Sequence, residues 1–266
     1  MATYFNDEYF SSIVNSFESL EEVDAVVLGG SRSTEVYDAN SDYDIYVYCK
    51  GELTSEQKRI AVEPFCSEAE IGNHYWELED NCVLKNGVPI DIIYRTTEMF
   101  EQYLATVVDG ATAFNCYTTC FWHNIINSKV LFDKSGTFTA LQKKYTIPYP
   151  EELRKNIISK NRKLLGGVLP AYDKQIKKAE ERGDLVSVHH RITEFLASYF
   201  DVIFALNRLT HPGEKRLVSL CKKNCKILPN NFEENINALL SSVTDGNSYQ
   251  IVTDMIAELD MVIETA

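Results

Sequence analysis

Every strand-like stretch in this chain lies before residue 134, and beyond the proline pair Pro148/Pro150 every apolar repeat has helical spacing. That one-way change restricts the fold to a small mixed α/β part, of α+β type, followed by an all-α helical bundle. With 266 residues the chain can bury one sizeable core or two modest ones. The prolines mark the boundary, so the expected domains are residues 1–148 and 149–266.

In the first part, Tyr9, Phe10, Ile13, Val14, Phe17 and Leu20 recur at helical spacing behind a cap at Asn6 or Asp7. Asp24 to Leu28 reads as a buried strand ended by Gly29-Gly30-Ser31, and a short polar, helical segment follows. Tyr43 to Tyr48 is a second strand, and Thr54 to Glu63 a helix. From Gly72 to Arg95 the pattern is β-like. Asn86-Gly87 signals a hairpin joining Asn81–Leu84 to Val88–Tyr94, with Pro89 placing the second strand at an edge or bulge. His74, Tyr75 and Trp76 fall in that strand region. Helices are expected at 97–108 and 116–126 and a strand at 129–133. Six helices then follow: 151–166, 170–182, 185–209, 214–225, 232–242 and 248–264.

Asp42 and Asp44 stand at i,i+2 in Ser41-Asp-Tyr-Asp-Ile-Tyr46. On a strand that spacing puts both side chains on one face, with Cα atoms roughly 6.8 Å apart. Carboxylates so placed repel unless a cation sits between them. Magnesium suits the pair, because it prefers hard oxygen ligands and shares them with phosphates. Asp91 interrupts the apolar run Val88-Pro-Ile-Asp-Ile-Ile-Tyr94, where an acid needs a partner or a metal. Two acids from one strand and one from another fit metal-assisted phosphoryl transfer, in which two ions stand roughly 3.5–4 Å apart. The competing assignments are a capped turn or solvated edge for Asp42 and Asp44, and a pairing with Arg95 for Asp91. Upstream, Gly29-Gly30-Ser31 offers backbone amides and a hydroxyl to a phosphate.

The formal net charge is -13, from 39 acidic and 26 basic residues. Gripping long nucleic acid needs a basic footprint, so that class of partner and RNA polymerisation are disfavoured. An acidic cleft favours metal ions and small cations. The 7 cysteines are scattered; Cys116/Cys120 and Cys221/Cys225 have i,i+4 spacing, which suits helix faces and reduced thiols better than zinc knuckles. No apolar stretch approaches the roughly 18 residues of a membrane span, and Met1–Phe10 carries no basic cluster, so a cytoplasmic location is expected. His190 and Glu194 share a helical face and offer an acceptor-side base, while Trp122 and His123 read as packing.

At Gly30-Ser31, Asp42-x-Asp44 and Asp91 the sequence resembles the polymerase-β-type nucleotidyltransferase superfamily. The resemblance implies that all three aspartates are metal-binding and catalytic, that Gly30 and Ser31 grip a nucleoside triphosphate, and that Asp91 serves as general base. It further implies Mg2+ with ATP as donor, transfer of AMP to a hydroxyl, and release of pyrophosphate. Ser33 and Glu35 depart from the small residue and second glycine common in small-molecule members, which bears on the acceptor side. The helical half is similar to that of aminoglycoside and lincosamide nucleotidyltransferases, chiefly through Leu206-Asn-Arg-Leu-Thr-His-Pro-Gly-Glu-Lys-Arg216. That likeness implies nucleotide contacts from Asn207 and Lys215, with Arg208 and Arg216 as further candidates. The expected acceptor is a small, cationic, aminoglycoside-like molecule. The alternatives are a protein-adenylylating, antitoxin-like enzyme and a non-catalytic nucleotide sensor. Oligomeric state is not legible in the sequence.

Overall fold

The fold was analysed on a computed structural model that describes residues 4–33 and 41–265. The chain divides into two compact units, Met1–Leu104 with Asn124–Ile147 and Ala105–His123 with Pro148–Ala266. The mixed sheet and the helical body expected from the sequence are both present.

In the first unit, α1 (Glu8–Ser19) starts where Asp7 accepts from the backbone N–H groups of Tyr9 and Phe10, satisfying donors that a helix start leaves orphaned. Its buried face carries Phe10, Ile13, Val14 and Phe17, each contributing roughly 1.5–3 kcal/mol by burial. Six strands follow in the sheet order β3-β4-β5-β2-β1-β6. They are β1 (Val23–Leu28), β2 (Tyr43–Cys49), β3 (Cys66–Asn73), β4 (Glu79–Leu84), β5 (Pro89–Arg95) and β6 (Lys129–Asp133). Only β2 and β5 pair in parallel; the other neighbours are antiparallel. One sheet face presents Tyr43, Ile45, Val47, Ile90, Ile92 and Tyr94 to α1 and to α2 (Ser55–Val62). A capping box between Thr54 and Gln57 begins α2.

Strand alternation sends Asp44, Tyr46, Tyr48, Asp91, Ile93 and Arg95 to the opposite face. There Tyr48 packs against Phe100 of α3 (Thr97–Leu104) and Phe138 of α5 (Thr137–Tyr145). The hairpin at Asn86-Gly87 forms, with Gly87 at φ +86°. Its second strand is interior, however, not an edge or a bulge: Pro89 is the first residue of β5, where its missing N–H costs no ladder bond. The segment 74–78 is a connection between β3 and β4, not a strand.

The second unit is built around α8 (Leu185–Leu206), which packs against α6 (Glu151–Leu165) and α7 (Tyr172–Glu181). It also contains α9 (Leu217–Asn224), α10 (Phe232–Ser241) and α11 (Ser248–Thr265). Helix α4 (Cys120–Asn127) begins at Cys120, so Cys116 precedes the helix and the pair does not share a helical face. Buried Asp201 on α8 ties the 114–118 segment to α6. Its carboxylate accepts from the Thr118 N–H (3.1 Å), the Thr118 hydroxyl (2.7 Å) and Asn161 Nδ2 (3.2 Å). Among the described residues no helix is long and apolar enough to cross a membrane.

Candidate metal and nucleotide site

Asp42 stands one residue before β2 and Asp44 is its second residue, as the i,i+2 spacing requires for a shared face. Parallel pairing then places Asp44 opposite Asp91 on β5. Ligand oxygens from the three carboxylates lie within 4.8 Å of one another, and all three side chains are half-buried. Magnesium–oxygen bonds of about 2.1 Å put opposite ligands of one ion roughly 4.2 Å apart, so a small rotamer adjustment closes the cluster onto a cation. The donor set, three hard carboxylates with like charges converging, fits Mg2+.

Asp91 is not held by Arg95. That guanidinium is engaged by Glu77 through two contacts of 2.9 and 2.6 Å and lies over the Tyr46 and Phe100 rings. What Asp91 receives is a hydrogen bond of 2.9 Å from Asn81 Nδ2, across the β4–β5 pair. Asn81 Oδ1 in turn accepts from Asn73 Nδ2. Nearby, burial and the charges of Asp91 and Glu77 push the Glu79 carboxyl above the usual carboxylate range.

The Gly29-Gly30 turn follows β1 and is pressed onto the same acids. The Gly29 N–H donates to the Asp44 carbonyl at 2.8 Å. Gly30 adopts φ +58°, and a Cβ there would fall 1.7 Å from Asp44 Oδ2; at Gly29 it would fall 2.3 Å from the Tyr46 ring. Only glycine allows so close an approach at such a φ. Ser31 opens a short 3-10 turn, Ser31–Ser33, in which the Ser33 hydroxyl donates to the Gly30 carbonyl at 2.8 Å. Arg32 staples the turn to the acid strand: Nε and NH2 donate to the Ser41 carbonyl at 2.8 and 2.6 Å, and Nε also reaches the Asp42 carbonyl at 3.1 Å. Glu35 lies outside the described residues.

Asn207 and Lys215 belong to the second unit. Both hydrogens of the Asn207 amide are used, on the carbonyls of Ile203 and Ile227, and its oxygen accepts from the N–H groups of Lys226 and Ile227. A nucleotide contact from this amide has to replace one of those bonds. Lys215 is exposed in the turn before α9 rather than inside the helix. Arg208 pairs with Glu151 at 3.0 Å. His211 in this stretch is buried, set between the Tyr117 and Phe204 rings, with its backbone N–H on Thr119 Oγ1. His190 and Glu194 are exposed on α8, where Glu194 accepts from the Tyr172 hydroxyl at 3.4 Å.

A family model described as a nucleotidyltransferase domain matches residues 10–111. The matched stretch contains Gly30, Ser31, Asp42, Asp44 and Asp91. The chain is accordingly an enzyme of nucleotidyl transfer, as the three acids and the glycine turn suggested. A second family model, a domain of unknown function (DUF4037), matches residues 114–217. A search of curated proteins finds no match.

Among solved structures the chain is similar to a nucleotidyltransferase-like protein from Exiguobacterium sibiricum, at 10% identity and a TM-score of 0.45 over 97% of this chain and 74% of that one. An aminoglycoside 6-adenyltransferase from Bacillus subtilis gives 11% identity and a TM-score of 0.28 over 96% and 90%. The Thermotoga maritima CCA-adding enzyme complexed with tRNA gives 14% and 0.30 over 96% and 80%. Likenesses of this size do not bear on the substrate.

Proposed function

We propose that this enzyme transfers AMP from ATP, with Mg2+, to a hydroxyl of a small cationic acceptor of the aminoglycoside-like kind. The observation that carries the reading is the convergence of Asp42, Asp44 and Asp91 from two adjacent strands, with the Gly30 backbone pressed against Asp44. Gly30 and Ser31 present backbone and hydroxyl donors to the triphosphate. Asp42 and Asp44 hold the metal, and Asp91 shares it while facing the acceptor. Bound magnesium supplies charge stabilisation at the α-phosphate and at the leaving pyrophosphate. Asp91 receives the proton of the acceptor hydroxyl as its oxygen bonds to the α-phosphorus and the bond to the β-phosphate oxygen breaks. Asn81 keeps the Asp91 carboxylate oriented during this step. By resemblance, Asn207 and Lys215 of the second unit are the further residues proposed as nucleotide contacts.

The test is incubation of the full chain with labelled ATP, magnesium and a panel of amino sugars, lincosamides and cell extract, read by mass spectrometry. Gain of one AMP on a small cation is the expected result. AMP on a protein instead would replace the acceptor assignment. An Asp42→Asn/Asp44→Asn double variant is expected to keep its circular dichroism spectrum and lose magnesium-dependent ATP turnover; unchanged turnover overturns the mechanism.

A further inference from the structure

The hydrogen-bond chain behind Asp91 has a direction, and the direction leaves something over. An ionised carboxylate can only accept, so Asn81 must turn its NH2 toward Asp91 and its oxygen away. That oxygen accepts from the NH2 of Asn73, which leaves the Asn73 Oδ1 as an acceptor. It is a buried atom with no hydrogen-bond partner.

Asn73 is the direct cross-strand partner of Glu79. Glu79 is only 8% exposed, and it shares a sheet face with Asn81 and Asp91 through its own pairing with Ile93. No described residue donates to its carboxylate, and the charges that bear on it are the like charges of Asp91 and Glu77. A buried amide oxygen without a donor thus stands in register with an acid that is little exposed as a residue and receives no hydrogen bond from the described residues. A buried acceptor left without a donor is costly, so the Asn73 oxygen favours an incoming donor.

The connection from Asn73 to Glu79 carries Tyr75 and Trp76, which are 83% and 89% exposed. Among the described residues of the first unit these are the most exposed large hydrophobic side chains. Exposed rings on the connection that leads into Glu79 suit a saturated or flat ring bearing a cation, through face contact and cation–π attraction.

We propose that Glu79 and Asn73 form an acceptor subsite for a ring-borne ammonium group, with Trp76 and Tyr75 as the platform for the ring. An ammonium has three donors and no acceptor, so it can satisfy Glu79 and Asn73 together. The subsite rests on the reading of the three aspartates as the transfer site, and it assigns the acceptor's cation to β3 and β4.

The protein reports on this subsite itself, because it has 2 tryptophans and the other, Trp122, is 1% exposed. The full chain is titrated with kanamycin, and separately with its fully N-acetylated derivative, in magnesium and a non-hydrolysable ATP analogue. Trp76 emission should change saturably with kanamycin and not with the acetylated form. Trp76→Phe should abolish the optical signal, with binding then followed by calorimetry. Glu79→Gln should weaken binding at least about tenfold, the loss of one charged hydrogen bond. Absence of saturable kanamycin binding by protein that binds the nucleotide analogue overturns the subsite. So does equal binding of the acetylated form, or a Glu79→Gln effect on magnesium dependence in place of kanamycin affinity. Failure to bind the nucleotide analogue at all overturns instead the reading on which the subsite stands.

Discussion

At the scale of single residues, the site depends on backbone contact as much as on charge. Gly30→Ala places a methyl group against Asp44 at a φ that L side chains avoid. The expected cost is about 1–3 kcal/mol of stability, read as a shift in urea midpoint. Turnover should fall on the order of a hundredfold, since displacements near 1 Å at a reacting centre have that effect. The three aspartates were legible because their spacing and their apolar neighbours are local properties of the sequence. Asn73, Glu79 and Asn81 were not: each looks like an ordinary polar strand residue until the β3–β4–β5 register places it beside Asp91. His74-Tyr75-Trp76 fall in a strand region by sequence because aromatics favour strands, and their solvent exposure is a tertiary outcome.

Among the elements, those with a strong apolar stripe or a cap were read correctly, as α1 and α8 show. Strand β3 was largely missed because Glu68 and Glu70 alternate with small residues on an exposed sheet edge. Helix α5 was missed because it is short and has no side-chain cap. Asn207 drew attention as a nucleotide contact, but its spacing gave no sign of the four bonds that brace the 226–227 segment.

The brace at Asp201 has a pH signature. Burial raises its carboxyl to about 6, against its three hydrogen bonds. A raised acid binds its proton more readily folded than unfolded. Its favourable contribution is therefore complete below the unfolded value near 3.8 and is lost as pH rises through about 6. Relative to Asp201→Asn, which cannot titrate, the native protein should lose about 3 kcal/mol between pH 3.8 and 7. Urea melts of both proteins across that range check the slope; parallel curves would show that Asp201 titrates normally.

For the molecule as a whole, the units are interleaved in sequence, since residues 105–123 pack with the second and 124–147 return to the first. A cut at the proline pair therefore does not separate two complete bodies. A fragment ending at 147 retains Trp122 but not Tyr149, whose ring lies 5.3 Å from the indole. In a Trp76→Phe background its emission should be red-shifted from that of the full chain. An unshifted spectrum would mean that 105–123 keeps its packing without the helices. The charge of -13 weighs against a long nucleic-acid partner without naming a substrate, which is as far as composition reaches.

The single parallel pair in the sheet has a consequence for the order of events in folding. Asp44 and Asp91 come into register only after α2 and the β3–β4–β5 meander have been laid down between them. Pairings so distant in sequence close late. A cation that requires both strands finds no purchase on earlier, partly organised chains. Whatever the cation proposed for this cluster gains by binding would go to the finished structure by mass action, so it would also select against unfinished forms.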